Sequence, residues 1–186
     1  MKNPGIYLLK SARLRMLTLI LLPFAFSLFS ATVKAQSPID YSVHANIIYH
    51  FSKYIDWPDA QKSGDFVIGI VGDSPMFEAL QKATRNKTVG AQQIIIKKFS
   101  TIQNSYDCQI LFISEEESYL MKRITALIRG MPVLIVSEQE GLASKGSCIN
   151  FIREDDKIKL EINKFNIENR KLKIASELLS LGVVVK

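Results

Sequence analysis

The chain's 186 residues carry 24 Lys and Arg against 18 Asp and Glu, a formal net charge of +6. Five of those cations and none of the acids fall in the first 35 residues, so the remaining 151 carry nineteen positive against eighteen negative side chains. That near-neutral body gives no support to nucleic-acid binding, and its length suits one core with no second domain.

Lys2, Lys10, Arg13 and Arg15 precede an apolar run over residues 16–29, and small residues stand at Val33 and Ala35. A basic head, an apolar segment too short to span a bilayer comfortably, and small residues one and three places before a cut describe a secretory leader. The reading is a signal peptide over 1–35, cleaved after Ala35, and a single domain over 36–186. An uncleaved anchor helix is the alternative, against which Pro23 and the short apolar core both argue. No cysteine follows the run, which disfavours a lipoprotein.

Residues 36–41 form a polar lead-in. From Ser42, the residues Val43, Ile47, Ile48, Phe51, Tyr54 and Ile55 recur at helical spacing, with His44, Asn46, His50 and Lys53 toward the other side. Trp57-Pro58 ends this helix, since a proline disfavours helical geometry in the residue before it. Residues 66–71, 110–113 and 133–136 are continuous apolar runs, the pattern of strands covered on both faces. A helix starting at Asp73-Ser74-Pro75 and reaching about Lys82 follows the first. Another, with Ser114 as cap and Glu117 three places on, carries Leu120, Ile124, Leu127 and Ile128 inward and stops at Gly130. Between the helices, residues 89–99 predict a strand, placed at an edge by Lys97 and Lys98. Alternation around the Glu154-Asp155-Asp156 turn predicts an antiparallel hairpin, and one or two short helices follow from Asn163. The fold class is therefore α/β, a single-domain three-layer sandwich with a mixed, largely parallel sheet and a C-terminal antiparallel hairpin.

Export would put Cys108 and Cys148 where a disulfide can form and persist. Each begins an apolar stretch read as a strand, so a bridge requires those strands to be near neighbours; two buried thiols are the alternative.

Little in the chain points to catalysis. His44 and His50 are the only histidines, and their spacing misses the i, i+4 pair of helical zinc sites. No Gly-x-Ser-x-Gly elbow is present. Gly69 to Asp73 lies at a strand-to-helix junction but lacks the glycine pattern of a dinucleotide fingerprint. Glu115, Glu116 and Glu117 read as a solvated helix start. Tyr49, Phe51, Tyr54 and Trp57 form an aromatic cluster in which Phe51 and Tyr54 belong to the apolar stripe. Tyr49 and Trp57 are open to either a core or an interface role, as exposed Tyr and Trp anchor protein contacts strongly.

The stretch Ala45-Asn46-Ile47-Ile48-Tyr49-His50-Phe51-Ser52-Lys53-Tyr54-Ile55-Asp56-Trp57-Pro58, followed by Ile68-Gly69-Ile70-Val71-Gly72-Asp73, resembles the opening of the YfiR-like family of exported regulators. Cys108 to Ser114, Pro132 to Ser137 with Gly141, Gly146 to Phe151, Glu161-Ile162-Asn163 and Leu172 to Ser176 are similar to its later blocks. The resemblance implies a non-enzymatic periplasmic protein without cofactor or metal. It would bind and restrain the periplasmic sensor region of a membrane signalling enzyme, a diguanylate cyclase or a histidine kinase, lowering cyclic-di-GMP output in the first case. Tyr49, Lys53, Trp57 and Pro58 are the candidate partner-binding residues, and a homodimer is left open. The second reading is a small-ligand receptor using the crevice at the strand ends near Gly72, Asp73, Ser114 and Ser137.

Overall fold

The computed structural model describes residues 39–154 and 157–186. The leader and cleavage site read in residues 1–35 lie outside them, as do the turn residues Asp155 and Asp156.

Helix α1 (Tyr41–Tyr54) starts where the Asp40 carboxylate accepts a hydrogen bond from the Ser42 amide at 2.9 Å, satisfying one of the orphan N–H groups of a helix start. It ends in a two-residue strand β1 (Ile55–Asp56). There follow β2 (Phe66–Val71), α2 (Met76–Thr84), β3 (Thr88–Val89), β4 (Gln92–Phe99), β5 (Ile110–Ile113), α3 (Met121–Leu127) and β6 (Leu134–Ser137). The C-terminal part holds β7 (Ile149–Glu154), β8 (Lys157–Asn163), α4 (Lys164–Asn169), β9 (Lys173–Ile174), α5 (Ser176–Leu179) and β10 (Val183–Val185).

The main sheet has eight strands in the order β10-β8-β7-β6-β5-β2-β4-β3. The continuous apolar runs become its parallel centre: β2 lies between β4 and β5, and β6 follows β5. Ile68, Ile70, Ile110, Phe112, Leu134 and Val136 are wholly buried, each contributing about 1.5–3 kcal/mol of transfer free energy. Gly69 is required there because a Cβ would stand 2.4 Å from the Phe99 ring. The predicted hairpin is β7 against β8, antiparallel from Ile149↔Ile162 to Glu154↔Lys157.

From β2 the chain crosses through α2 to β4 on one side, then returns to β5 on the other and crosses through α3 to β6. Right-handed crossovers in opposite directions put α2 and α3 on opposite faces of the sheet, which gives the three layers.

Four local readings change. The buried face of α1 is His44, Ala45, Ile48, Tyr49, Phe51 and Ser52, with Val43 42% exposed. The stripe is turned by about one residue because the His44 ring packs at a tilt against Phe151 of β7, centroids 4.5 Å apart, and the Ser52 hydroxyl donates to the Tyr49 carbonyl at 2.6 Å. Ser114 caps no helix: a 3-10 turn over Ser118–Leu120 precedes α3, and Leu127 is 39% exposed. Residues 88–99 form a hairpin rather than one strand, with the short β3 taking the edge and β4 inside it. At the other edge β10 runs parallel to β8, a strand hidden in a C-terminal segment whose spacing reads as helix.

Candidate functional site

Neighbouring connections leave β2 and β5 in opposite directions, so the carboxyl ends of these strands flank a topological switch point, where open α/β sheets hold ligands. Val71 is paired with Ile113, and Ile113 with Ser137. Gly72, Ser114 and Glu138 therefore follow the strands in successive rows at one end of the sheet. Gly72 has a left-handed φ of 73°, and a Cβ there would stand 2.4 Å from Glu117 Oε1. Glu117 thus lies directly on the glycine, which corrects the reading of residues 115–117 as a fully solvated helix start.

Glu138 Oε1 accepts a hydrogen bond from the Tyr41 hydroxyl at 3.0 Å and a longer one from the Glu115 amide at 3.3 Å. Burial raises the Glu138 carboxyl to about 7, with Glu116 and Glu115 pushing the same way and the two hydrogen bonds opposing. Tyr41 is raised as well, first by burial and then by the facing Glu138 charge. Among the described residues four buried polar atoms lack a hydrogen-bond partner, and three of them, Ser114 Oγ, Glu117 Oε2 and Glu138 Oε2, belong to these strand-end segments. Buried polar atoms are normally partnered, so this end of the sheet has capacity for further donors and acceptors.

The other two residues of the predicted crevice have different duties. Asp73 is exposed and paired with Lys98 at 2.5 Å. Ser137 is wholly buried; its hydroxyl donates to Asn150 Oδ1 at 2.6 Å and lies 2.8 Å from the Ser147 hydroxyl, while the Asn150 amide donates to Glu161 at 2.8 Å. That closed network ties β6 to β7 and β8.

At the amino end of β2 lies the aromatic corner. Trp57 is 5% exposed and meets Phe66 edge-on at 5.1 Å. Tyr49 is 8% exposed and is overlain by Lys53 and Lys87, 5.0 and 4.3 Å from the ring centroid. Of the four candidate partner-binding residues, Lys53 is exposed and Pro58 half-buried, whereas Trp57 and Tyr49 are core side chains and present no protruding anchors. The cause is β1, which pairs antiparallel with β9 through Ile55↔Ile174 and Asp56↔Lys173 and draws the following Trp57 down onto Phe66. Trp57 Nε1 is the fourth orphaned atom, and the indole lines a cavity of about 320 Å³ with Asp56, Lys62, Gln61 and Gln92.

Cys108 and Cys148 are free, buried thiols. They precede β5 and β7, and β6 runs between those strands. Two strand spacings amount to about 9.5 Å, beyond the Cα separation a bridge tolerates. The disulfide left open by the sequence is not formed; burial pushes both thiols upward, which makes them inert small hydrophobes.

Comparison with protein families matches residues 41–183 to the family described as YfiR/HmsC-like. The chain belongs to the YfiR/HmsC-like family. The match runs from the first residue of α1 to the first of β10 and so covers both sites above. YfiR/HmsC-like proteins form a regulatory family rather than a known enzyme family. Comparison with curated proteins gives no match. No helix among the described residues of this YfiR/HmsC-like domain is long and apolar enough to cross a membrane.

Sequence reasoning missed Tyr41 and Glu138. A signal existed for Glu138, because an acid two residues past the apolar run 133–136 stands at the carboxyl edge of the sheet. Tyr41 carried none, since its contact spans 97 residues of sequence.

Proposed function

We propose that this YfiR/HmsC-like chain is an exported, non-enzymatic regulator that binds the periplasmic sensor region of a membrane signalling enzyme, a diguanylate cyclase or histidine kinase, and holds it inactive. The family match across residues 41–183 carries this reading; the leader-like first 35 residues agree with it. Such a regulator must bind the inactive state of its partner more tightly than the active one. The contact surface is assigned to the corner formed by Lys53, Pro58 and the cation pair over Tyr49, with Tyr49 and Trp57 setting its shape from beneath. Removing either aromatic ring would open the core at a cost of about 3–5 kcal/mol, so charge reversal is the cleaner test. Lys53→Glu with Lys87→Glu should leave the melting temperature within a few degrees and weaken capture of the partner's sensor region at least about tenfold, read by surface binding kinetics. Full affinity in the folded double variant would remove this surface from the reading.

One observation favours a second reading, a small-ligand receptor: the orphaned Ser114, Glu117 and Glu138 atoms at the switch point. A ligand seated there would raise the melting temperature by mass action, and the gain would vanish in Glu138→Gln. A ligand whose stabilisation survives that change lies elsewhere.

A further inference from the structure

An open cavity of about 640 Å³ lies away from both sites, within the size range of small-molecule pockets. Its walls are α3 with the following Arg129-Gly130, a 3-10 turn over Ala143–Lys145, and the end of α4. Lys122, Arg129, Lys145 and Arg170 line it, and no Asp or Glu does. None of the four enters an ion pair among the described residues.

Arg170 gives this concentration of charge its weight. It is only 7% exposed, and its Nη1 donates to the Ile128 carbonyl at 3.2 Å, with the buried Cys148 thiol beside it. A guanidinium stays charged in any protein setting, and a buried charge without a counter-charge is costly. Pairing with helix-end carbonyls accounts for one Arg170 donor and suits Arg129 just beyond α3. It does not account for Lys122 in the first turn of α3, where the dipole disfavours a cation, nor for Lys145 across the cavity. The floor is fixed: the Asn166 amide donates to the Ala143 and Ser147 carbonyls at 3.0 and 2.8 Å. Gly146 lies so close to α3 that a Cβ would stand 2.5 Å from Thr125 Cγ2.

We propose that this cavity is a binding site for a phosphate-bearing small molecule or headgroup, with Arg170 as the buried recognition group and Lys122, Arg129 and Lys145 closing around the anion. Arginine forks match phosphate oxygens in pairs, and charge-assisted hydrogen bonds of this kind are the strong ones. The ligand would supply the missing negative charge.

The test uses the purified mature chain, residues 36–186, and its triple variant Lys122→Gln, Arg129→Gln, Lys145→Gln, whose altered side chains are exposed, so the fold is retained. Inorganic pyrophosphate, against chloride at matched ionic strength, should raise the wild-type melting temperature. Its dissociation constant by calorimetry should weaken about tenfold or more in the triple variant. Flotation with vesicles of phosphatidylglycerol in phosphatidylcholine separates the sources: wild-type binding that the triple variant loses assigns the phosphate to a lipid headgroup, and pyrophosphate binding without flotation assigns it to a soluble ligand. Absence of both responses in the wild type overturns the proposal, and so does a response that the triple variant keeps in full.

Discussion

Glu138 at the carboxyl end of the sheet and Arg170 in the cationic cavity are both drawn out of water, and each escapes isolation differently. The carboxyl can change its own charge: burial lifts it to about 7, so near neutrality it is already taking up a proton. The guanidinium has no such exit and relies on the Ile128 carbonyl and on whatever anion enters beside it. A buried acid can thus make its site sensitive to acidity, whereas a buried arginine makes its site sensitive to a partner.

The two regions also differ in stiffness, and a pair of glycines would expose this. Gly146 has φ 118° and faces Thr125 Cγ2 on a helix wall; Gly72 has φ 73° and faces the far end of Glu117. Gly146→Ala should cost about 2–4 kcal/mol, left-handed strain plus an overlap that a β-branched neighbour cannot relieve. Gly72→Ala should cost about 1–2 kcal/mol, the strain alone, because the Glu117 carboxylate can swing aside. Denaturant melts of the two variants decide it, and equal losses would show that the acidic end is as rigid as the cationic one.

The next effect in size is electrostatic. A carboxyl raised in the folded state stabilises the fold below its ordinary value of 4.5, and this contribution is lost as pH rises through about 7. Glu138→Gln should therefore be more stable than the parent by about 1–2 kcal/mol at pH 8, with the advantage vanishing toward pH 4.5. His44 acts with the opposite sign. Burial lowers it from 6.5, so its contribution is present above that value and is lost as pH falls, and only the difference between parent and variant isolates Glu138. A constant difference across the window would show that the carboxyl is not held neutral. Smallest is Tyr41→Phe, which removes one hydrogen bond to Glu138 and should cost about 0.5–1.5 kcal/mol at neutral pH. Because that bond favours the ionised carboxyl, its loss should also move the Glu138 titration, followed by carbon NMR, further upward; an unmoved titration would deny the contact its electrostatic part.

The centre of the fold was legible because β2, β5 and β6 are apolar on both faces, whereas a strand wetted on one face alternates with polar residues. The strand-end crevice followed from it, since Gly72 and Ser114 are simply the first residues past those runs. What stayed hidden depends on tertiary pairing. β1 and β9 are two residues each and more than one hundred residues apart, so no periodicity announces them, and without that pairing Trp57 is open to either a core or an interface role. His44 reads as polar in the sequence, and only the tilted contact with Phe151 across the fold accounts for its burial. The cationic cavity gathers Lys122, Arg129, Lys145 and Arg170 from three separate segments, and no linear pattern records such a meeting.

The unbridged sulfurs have a practical consequence. With β6 standing between Cys108 and Cys148, no covalent crosslink ties the sheet, and strand packing alone must hold it. Maturation of this domain then needs neither an oxidant nor an isomerase. It can assemble equally in a reducing cell interior and outside it, and a reducing agent such as dithiothreitol should leave its melting curve where it was.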